Sequence, residues 1–469
     1  LAPGTTLPES FAPGEVALSG TIDEALDTAT LAWREASHAR VRVNREELVA
    51  DHGRNTLFAD IGLDPGPSLR FGPVAVSGNM RMRAARVAKI AGLREGTPFS
   101  QSEIDLATAR LRRSGIFSSV VLTEGDTILP GDRLPIGIGV VEQKPRHYSL
   151  GAELSSSEGL GLTGTWMHRN LMGGGERLRI EGSVTNIGAR DSGADYTFSI
   201  GLERPATFDP DTNAGVTLSL GRLDEIDYLA TGATFGVSLT HFFSDRLTAR
   251  AGLQYEYVTG RDAGGHFDFR DLALPLGVTW DRRDNATDAR RGFYIDAGAK
   301  PFAGFGATDS AVTLTFDARG YRSFGEARGV TLAARIQGGA IAGGTLSGTP
   351  RDELFLAGGG GTVRGLPFRS LGITVSRGGE DVLIGGTHLL ATSVELRGRV
   401  TDSIGIVAFY DWARVGADGF FGGIGAEASG AGLGLRYATP IGPLRLDLAT
   451  PVSGGEKGVQ VYVGLGQAF

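Results

Sequence analysis

The 469-residue chain contains no cysteine and no long run of apolar residues. Without cysteine, the protein has neither a disulfide framework nor a thiolate metal site. No stretch of about 18 apolar residues occurs, which excludes a transmembrane helix. It does not exclude a transmembrane β-barrel, which hides its apolar residues at every second position. The formal net charge of −7 leaves no basic stripe, so we expect no nucleic-acid partner.

The motifs of common enzymes are also missing. The sequence has no Gly-x-Ser-x-Gly elbow, no His-Glu-x-x-His pair and no P-loop, and its seven histidines stand singly. We therefore expect no enzymatic activity, no metal and no cofactor. Glycine, in contrast, is abundant at 73 residues, but without the Gly-X-Y period that collagen requires.

The N-terminal part of the chain predicts two small α+β units. In residues 69–145 a strand is followed by a helix that ends at Gly92, a second helix capped by Ser100 and Glu103, and two further strands. This β-α-α-β-β order predicts one complete domain.

Residues 1–68 repeat only the last three of these elements. A capping box at Thr21 predicts a helix, and strands follow at 40–49 and 55–63. We predict a partial copy of the second domain, truncated at its N-terminus. Leu1 to Gly4 carry neither a charged nor an apolar leader segment, so we expect no signal peptide in this chain.

From residue 146 to the end, segments of about ten residues alternate between apolar and polar side chains and are separated by turn residues. No helical periodicity interrupts them, and two stacked soluble β-sandwich domains are the alternative. The segments number sixteen, and single-chain outer-membrane barrels have an even number of strands. We predict an all-β transmembrane barrel of sixteen antiparallel strands over residues 146–469, at 148–156, 159–169, 175–186, 193–204, 214–223, 230–243, 246–259, 267–281, 291–302, 310–323, 328–342, 385–398, 402–415, 428–438, 442–450 and 459–469.

The last predicted strand has one apolar face and one face of small or polar residues. A chain that ends on phenylalanine at the end of a strand suits a paired barrel seam better than an exposed sheet edge. The apolar face holds Val459, Val461, Val463, Leu465 and Phe469, and the other face holds Gln460, Tyr462, Gly464, Gly466 and Ala468.

A long connection, residues 346–382, separates two of the strands and carries four glycines, 358–361, followed by Val363, Arg364, Gly365 and Leu366. Loops of this length are uncommon in ordered folds and are either functional or disordered. The glycines permit left-handed conformations and close packing. Taken alone, the segment is equally compatible with a flexible surface loop.

Two carboxylates on neighbouring strands are candidate partners for Arg364. Strand alternation points Glu395 to the interior, and it does the same for Phe409 and Asp411. A charge on the lipid face costs about 2–4 kcal/mol at mid-bilayer, so these acids belong in the lumen. A guanidinium matches carboxylates bidentately. We predict that the loop folds inward as a latch, with Asp411 the favoured partner of Arg364.

Three stretches resemble the Omp85 superfamily of outer-membrane assembly and translocation barrels, and most closely its TamA branch. Residues 363–366 resemble the Val-Arg-Gly-(Phe/Tyr) motif of its sixth extracellular loop, residues 409–413 its Phe-x-Asp-x-Gly strand motif, and residues 168–176 the turn after its second strand. The N-terminal units resemble POTRA domains, and 459–469 resembles the C-terminal β-signal. Leu366 replaces the aromatic residue and Ala413 the glycine of the family's motifs, so the loop's packing is expected to differ there.

The resemblance implies a factor that inserts or translocates β-rich clients, such as autotransporters, at the outer membrane of a Gram-negative bacterium. POTRA domains in the periplasm would capture clients by β-augmentation, with a TamB-like, inner-membrane-anchored partner. Clients would leave laterally into the bilayer through a seam between first and last strands, marked by Tyr148, Leu150, Tyr462, Gly464, Gly466 and Phe469. The alternatives are a two-partner secretion pore for one exported client and a passive porin.

Overall fold

The computed structural model describes residues 1–155, 159–189, 192–225, 227–263, 265–325, 329–377, 379–440 and 442–469. Their contacts divide the chain into two compact units. Unit 1 contains residues 1–145 together with two turn segments, 169–176 and 205–211, and unit 2 contains the rest. Within the described ranges, no helix is long and apolar enough to cross a membrane.

The first elements of unit 1 are a helix and a two-stranded antiparallel sheet: α1 Ser19–Glu35, β1 Arg42–Asp51 and β2 Thr56–Asp64. The predicted capping box at Thr21 is wrong. The backbone N–H of Thr21 already donates to the carbonyl of Leu18, which is the N-cap position and makes no side-chain cap bond. Thr21 therefore lies inside the first turn of the helix.

The remainder of unit 1 has the predicted β-α-α-β-β order, with elements β3 Arg70–Ser77, α2 Ala84–Ala91, α3 Gln101–Arg113, β4 Phe117–Glu124 and β5 Arg133–Glu142. The sheet order is β3-β5-β4, with β3 parallel and β4 antiparallel to β5. The hydroxyl of Ser100 accepts from the backbone N–H of Glu103 at 3.3 Å, and Gly92 ends α2 with φ = 79°. The N-cap and the C-cap therefore both lie where the sequence predicts them.

Arginines of α2 and α3 hold the two turn segments within unit 1. Arg86, which is buried, donates to backbone carbonyls of both segments at 2.6–3.3 Å. Arg110 and Arg113 both donate to the carboxylate of Asp211. Burial raises the pKa of Asp211, but the hydrogen bonds from Arg110 and Arg113 outweigh it and bring this pKa below its usual value. Asp211 is therefore ionised and paired at neutral pH.

Unit 2 is a closed antiparallel barrel. Its described strands fill sixteen positions, which confirms the predicted fold class. The predicted strand 267–281 is wrong as one continuous element: Pro275 has no N–H to donate, and β13 and β14 on its two sides both pair with β12 and β15. The strands are β6 Arg146–Ser155, β7 Gly159–His168, β8 Arg177–Ile187, β9 Asp195–Arg204, β10 Thr212–Asp224, β11 Tyr228–Phe242, β12 Leu247–Asp262, β13 Gly265–Ala273, β14 Leu276–Asp281, β15 Gly292–Phe305, β16 Ala311–Phe324, β17 Val330–Ala342, β20 His388–Arg399, β21 Ile404–Gly416, β22 Gly425–Tyr437, β23 Leu444–Ser453 and β24 Gln460–Leu465.

The connection between β17 and β20 spans residues 343–387 and contains a short hairpin, β18 Ile373–Arg377 and β19 Glu380–Ile384. The predicted long connection over 346–382 therefore extends to 343–387, and its last part contains a strand pair that was not predicted. The predicted strand ends Ser156 and Arg328, and Gly378 of the loop, lie outside the described residues. Apolar residues of the loop pack on small inward-facing residues of the barrel wall; the loop contributes Leu354, Val363, Leu366, Leu371, Ile373 and Ile384, and the wall contributes Ala391, Ala413, Val415 and Ala428.

Candidate functional site

Arg364 lies at the centre of a buried ionic network inside the barrel. Its guanidinium donates from Nε and Nη2 to the two carboxylate oxygens of Asp411, at 2.8 and 2.9 Å. Its Nη1 donates to Glu395 at 2.6 Å and to Asp447 at 3.3 Å. The guanidinium carbon lies 3.5 Å from the ring centroid of Phe409. The structure thus brings Arg364 together with Asp411, Glu395 and Phe409, the three residues selected from the sequence.

Strand geometry explains why these side chains converge. In β20, Glu395 is buried while its neighbours Val394 and Leu396 are exposed. In β21, Phe409 and Asp411 are buried and the residues between and beside them face outward. Glu395 and Phe409 are directly opposite each other in the antiparallel pair. The alternation of strand side chains therefore places all three on the inner wall.

Asp447 is a third carboxylate that the sequence analysis missed. It is fully buried on β23 and receives hydrogen bonds from Arg436 as well as from Arg364. Arg397 donates from Nε to Glu395 at 2.8 Å. The three arginines and three carboxylates of this network have formal charges that sum to zero, which limits the cost of burying them. The signal was available, because Leu446 and Leu448 flank Asp447 and face outward.

Close backbone approach seats the loop against the wall. Gly365 has φ = 101°, and a Cβ at this position would lie 2.7 Å from the backbone of Thr450. A Cβ on Gly430 of β22 would lie 1.9 Å from the carbonyl oxygen of Arg364. Glycine at both positions is therefore required for the observed docking. The hydroxyl of Tyr462 adds two contacts, accepting from the N–H of Gly365 at 3.2 Å and donating to the carbonyl of Leu366 at 3.3 Å.

The two departures from the family's motifs are accommodated by packing. Leu366, in the place of the aromatic residue, is 2% exposed and belongs to the same apolar cluster as Ala413, which replaces the glycine and is fully buried. The pairing of Arg364 with its carboxylates is present alongside both substitutions.

The barrel closes through a seam between its first and last strands. Among the described residues, the last strand, β24, pairs with β6 at Tyr462 with Ser155 and at Val463 with Leu154. On its other side β6 forms ten pairs with β7. The sequence predicted Tyr148 and Leu150 in the seam, and this prediction is wrong. In the described residues these two pair only with β7. The seam-side edge of β6 over residues 146–153 has no strand partner within the described chain.

The C-terminal segment leaves the sheet and enters the lumen, so the predicted strand over 459–469 is wrong in its second half. Strand β24 ends at Leu465, and Gly466 has φ = 89°, a conformation that breaks the ladder. Gly464 lies within the strand. Phe469 is buried beside Tyr321 instead of facing outward.

The C-terminal tail is tied to the ionic network of the loop. Arg397 donates from Nη2 to the carbonyl oxygen of Phe469 at 3.0 Å, and its guanidinium carbon lies 5.2 Å from the Phe469 ring centroid. Arg397 also donates to Glu395, which accepts from Arg364. One chain of contacts therefore connects the tail that follows the seam strand β24 with the loop in the lumen.

A sixteen-stranded barrel with a loop docked in its lumen and a β-α-α-β-β unit defines a class of outer-membrane β-barrel proteins. The family model described as Omp85 superfamily domain matches residues 170–469, well over half of the chain. A POTRA model, described as surface antigen variable number repeat, matches residues 69–143. The chain therefore belongs to the Omp85 superfamily.

Known relatives are consistent with this membership. The outer membrane protein assembly factor BamA of Nitratidesulfovibrio vulgaris is 23% identical over 403 residues, which cover 82% of this chain and 49% of that protein. The chain thus spans about half the length of this curated relative.

Solved structures show the same fold. BamA from Haemophilus ducreyi lacking POTRA domains 1–3 superposes with a TM-score of 0.74 at 18% identity, covering 97% of this chain and 95% of that one. CdiB from Acinetobacter baumannii gives a TM-score of 0.64 at 11% identity, covering 95% of this chain and 81% of that one.

Proposed function

We propose that this protein inserts or translocates β-rich client proteins at the outer membrane of a Gram-negative bacterium, through the seam between β24 and β6. The observation that carries the proposal is the seam-side edge of β6, where residues 146–153 have no strand partner within the described chain, beside the described pairs Tyr462 with Ser155 and Val463 with Leu154. Each ladder hydrogen bond contributes only about 1 kcal/mol net in water. Separating the two described pairs therefore breaks few such bonds.

The unpaired edge of β6 offers backbone hydrogen-bonding groups to which a client strand can pair. Unpaired backbone groups in lipid cost several kcal/mol each, so an open seam requires a replacement strand or water. An incoming client strand can pair with residues 146–153 by β-augmentation, since this edge has no partner within the described chain. The reaction is strand exchange, and we propose that it needs no enzymatic step, metal or nucleotide.

The finer assignments rest on the sequence resemblance. We propose a TamA-like role with autotransporter clients and a TamB-like periplasmic partner, because residues 363–366 and 409–413 carry the matching motifs. We also propose that residues 69–145 act as a POTRA domain in the periplasm and that residues 1–68 are part of another, whose edge strands would capture clients.

The test is reconstitution of the purified chain in liposomes with an unfolded autotransporter barrel as client. We expect the client to become folded in the bilayer, measured as heat-modifiable mobility on a gel, faster than in protein-free liposomes. A liposome sample with the unfolded assembly factor is the control. Equal folding rates with and without the folded protein would contradict the proposal.

A two-partner secretion pore remains the second candidate, favoured by the structural likeness to CdiB. The same liposomes separate the two functions. A secretion pore delivers its client across the bilayer and leaves no client barrel in the membrane. Protease added outside the liposomes shows the side on which the client lies, because it degrades only client on the outside. A passive porin would instead show a large, steady conductance in planar bilayers, which the docked loop opposes.

A further inference from the structure

The turn between β14 and β15, residues 282–291, contacts the C-terminal tail, residues 466–469, although the strands that carry these two segments are distant in the sheet. Between β15 and β24 the strand order contains β16, β17, β20, β21, β22 and β23. The turn nevertheless meets the tail with both backbone and side-chain atoms. The two segments therefore meet across the end of the barrel rather than along its wall.

Hydrogen bonds within the turn fix its shape. The carboxylate of Asp284 accepts the backbone N–H groups of Arg290 and Arg291, at 2.9 and 3.2 Å. The side-chain oxygen of Asn285 accepts the backbone N–H of Thr287 at 2.8 Å. Aspartate and asparagine side chains that bond nearby backbone groups are typical of ordered turns. The turn is therefore a formed element to which another segment can bind.

Gln467 of the tail is bound on two sides. Its backbone N–H donates to the carbonyl of Thr287 at 3.2 Å, and its side-chain amide donates to the carboxylate of Asp288 at 2.9 Å. Its side-chain oxygen accepts from Nε of Arg436 at 2.7 Å, and its backbone carbonyl accepts from Nη1 of Arg445 at 3.3 Å. The residue therefore connects the turn with the wall strands β22 and β23.

An apolar contact accompanies these hydrogen bonds. Ala289 of the turn and Phe469 of the tail belong to one buried cluster with Tyr321 and Ala333 of the wall. The tail is thus bound by the turn through polar and apolar contacts together, and both oppose its return to the sheet.

The register at the seam shows where the tail would lie if it returned. Val463 is directly opposite Leu154. In an antiparallel pair, each step forward on one strand is one step back on the other, so an extended tail would place Ala468 opposite Ser149. The seam-side edge of β6 over residues 146–153 is therefore within reach of the chain's own tail as well as of a client.

We propose that residues 282–291 act as a clasp, which retains the tail in the lumen and so keeps the edge of β6 open for a client strand. Without the clasp, the tail would pair with β6 and occupy the backbone groups that a client needs. Asp288 is a positioning residue in this device, because it acts through Gln467. The consequence for clients rests on the proposed function, but the position of the tail can be measured with no client present.

Cross-linking reports where the tail lies. Ser149→Cys with Ala468→Cys changes two small side chains in a chain without native cysteine, and the new cysteines lie opposite each other only when the tail pairs with β6. The measurement is the rate of disulfide formation in the full chain in lipid nanodiscs. Adding Asp288→Ala is expected to raise this rate about tenfold, because the tail loses a hydrogen bond to a charged group. The matched control, Asp402→Ala, changes an exposed carboxylate between β20 and β21 and should leave the rate unchanged.

A double-mutant cycle tests whether Asp288 acts through the tail. Gln467→Ala should also speed cross-linking, and adding Asp288→Ala to it should change the rate little further, because both substitutions remove the same hydrogen bond. Fully additive effects would overturn this role. An unchanged rate in a folded Asp288→Ala protein, or rapid cross-linking with the clasp intact, would overturn the clasp itself.

Client folding in liposomes tests the consequence. The Asp288→Ala protein is expected to fold the client several-fold more slowly than the unaltered protein, whereas the Asp402→Ala protein should not differ from it. Faster cross-linking with undiminished client folding would overturn competition for the edge of β6. If none of these proteins folds the client, the proposed function is contradicted, and the cross-linking rates still decide the clasp.

Discussion

Replacing Arg364 by alanine is expected to release the loop from the lumen while the barrel stays folded. The change removes the side-chain hydrogen bonds to Asp411, Glu395 and Asp447. Three buried carboxylates would then face two arginines, Arg397 and Arg436. Removing one partner of a buried pair costs about 3–5 kcal/mol. At about 1.36 kcal/mol per factor of ten, the population of undocked loop should rise about 100- to 5,000-fold.

The absence of native cysteine makes this equilibrium directly measurable. Val363 is fully buried beside Arg364, so a Val363→Cys reporter reacts with a maleimide only when the loop undocks. When Arg364→Ala is added to the reporter protein, we expect the labelling rate to rise in proportion to the population of undocked loop. The rise ends where the rate of undocking itself limits the labelling. Arg364→Lys, which keeps the charge but loses the bidentate geometry, should lie between the two.

Arg250→Ala is the matched control for this substitution. Arg250 also pairs with a carboxylate of a barrel strand, Asp296, at 2.9 Å, but its side chain is half exposed. Exposed pairs contribute about 0–1 kcal/mol, so labelling of the reporter should not change. Heat-modifiable gel mobility checks that each barrel is folded. An unchanged labelling rate in a folded Arg364→Ala protein would refute the latch.

Three further predictions follow, two from contacts of the loop and one from the pairing of Asp211 in unit 1. Tyr462→Phe loses two hydrogen bonds to the loop and should raise Val363→Cys labelling about 5- to 30-fold, at about 1 kcal/mol per bond; an unchanged rate would contradict this role. Gly430→Ala should expose the reporter, because the new Cβ meets the Arg364 carbonyl, whereas Gly182→Ala, with open space around it, should not. Asp211→Asn should speed amide exchange in α3 at pH 7. The pKa of Asp211 is lowered in the folded state. Its ion pairs therefore stabilise the fold fully above the pKa of the unfolded state, and this stabilisation is lost as the pH falls through the pKa of the folded state. Acidification should therefore speed amide exchange in α3 of the unaltered protein but not in the Asp211→Asn variant.

Much of the latch was predictable because strand alternation is a strong constraint. Once the barrel is assumed, Glu395 and Asp411 can only point inward, and a nearby arginine on a glycine-rich loop is their natural partner. The same alternation identifies Asp447. It was missed because the segment carries no motif that drew attention to it.

The seam was not predictable from alternation. Which residues of β6 meet β24 depends on the stagger at which the barrel closes, a property of the whole sheet. Tyr148 and Leu150 were therefore placed wrongly, and Leu154 and Ser155 form the contact. Extending the period of two through Gly466 likewise placed Phe469 on the outer face, whereas one left-handed glycine turned the tail into the lumen.

We expect the β24–β6 seam to open during client insertion. Leu154 and Val463 are directly opposite each other and both exposed, so Leu154→Cys with Val463→Cys should form a disulfide across the seam. Leu446→Cys with Val463→Cys is the matched control, because it joins the same residue to β23 on the other side of β24. The measurement is client folding in liposomes by the oxidised and reduced forms of both proteins. We expect only the oxidised seam variant to lose activity and to regain it on reduction; full activity with the seam locked would contradict lateral opening.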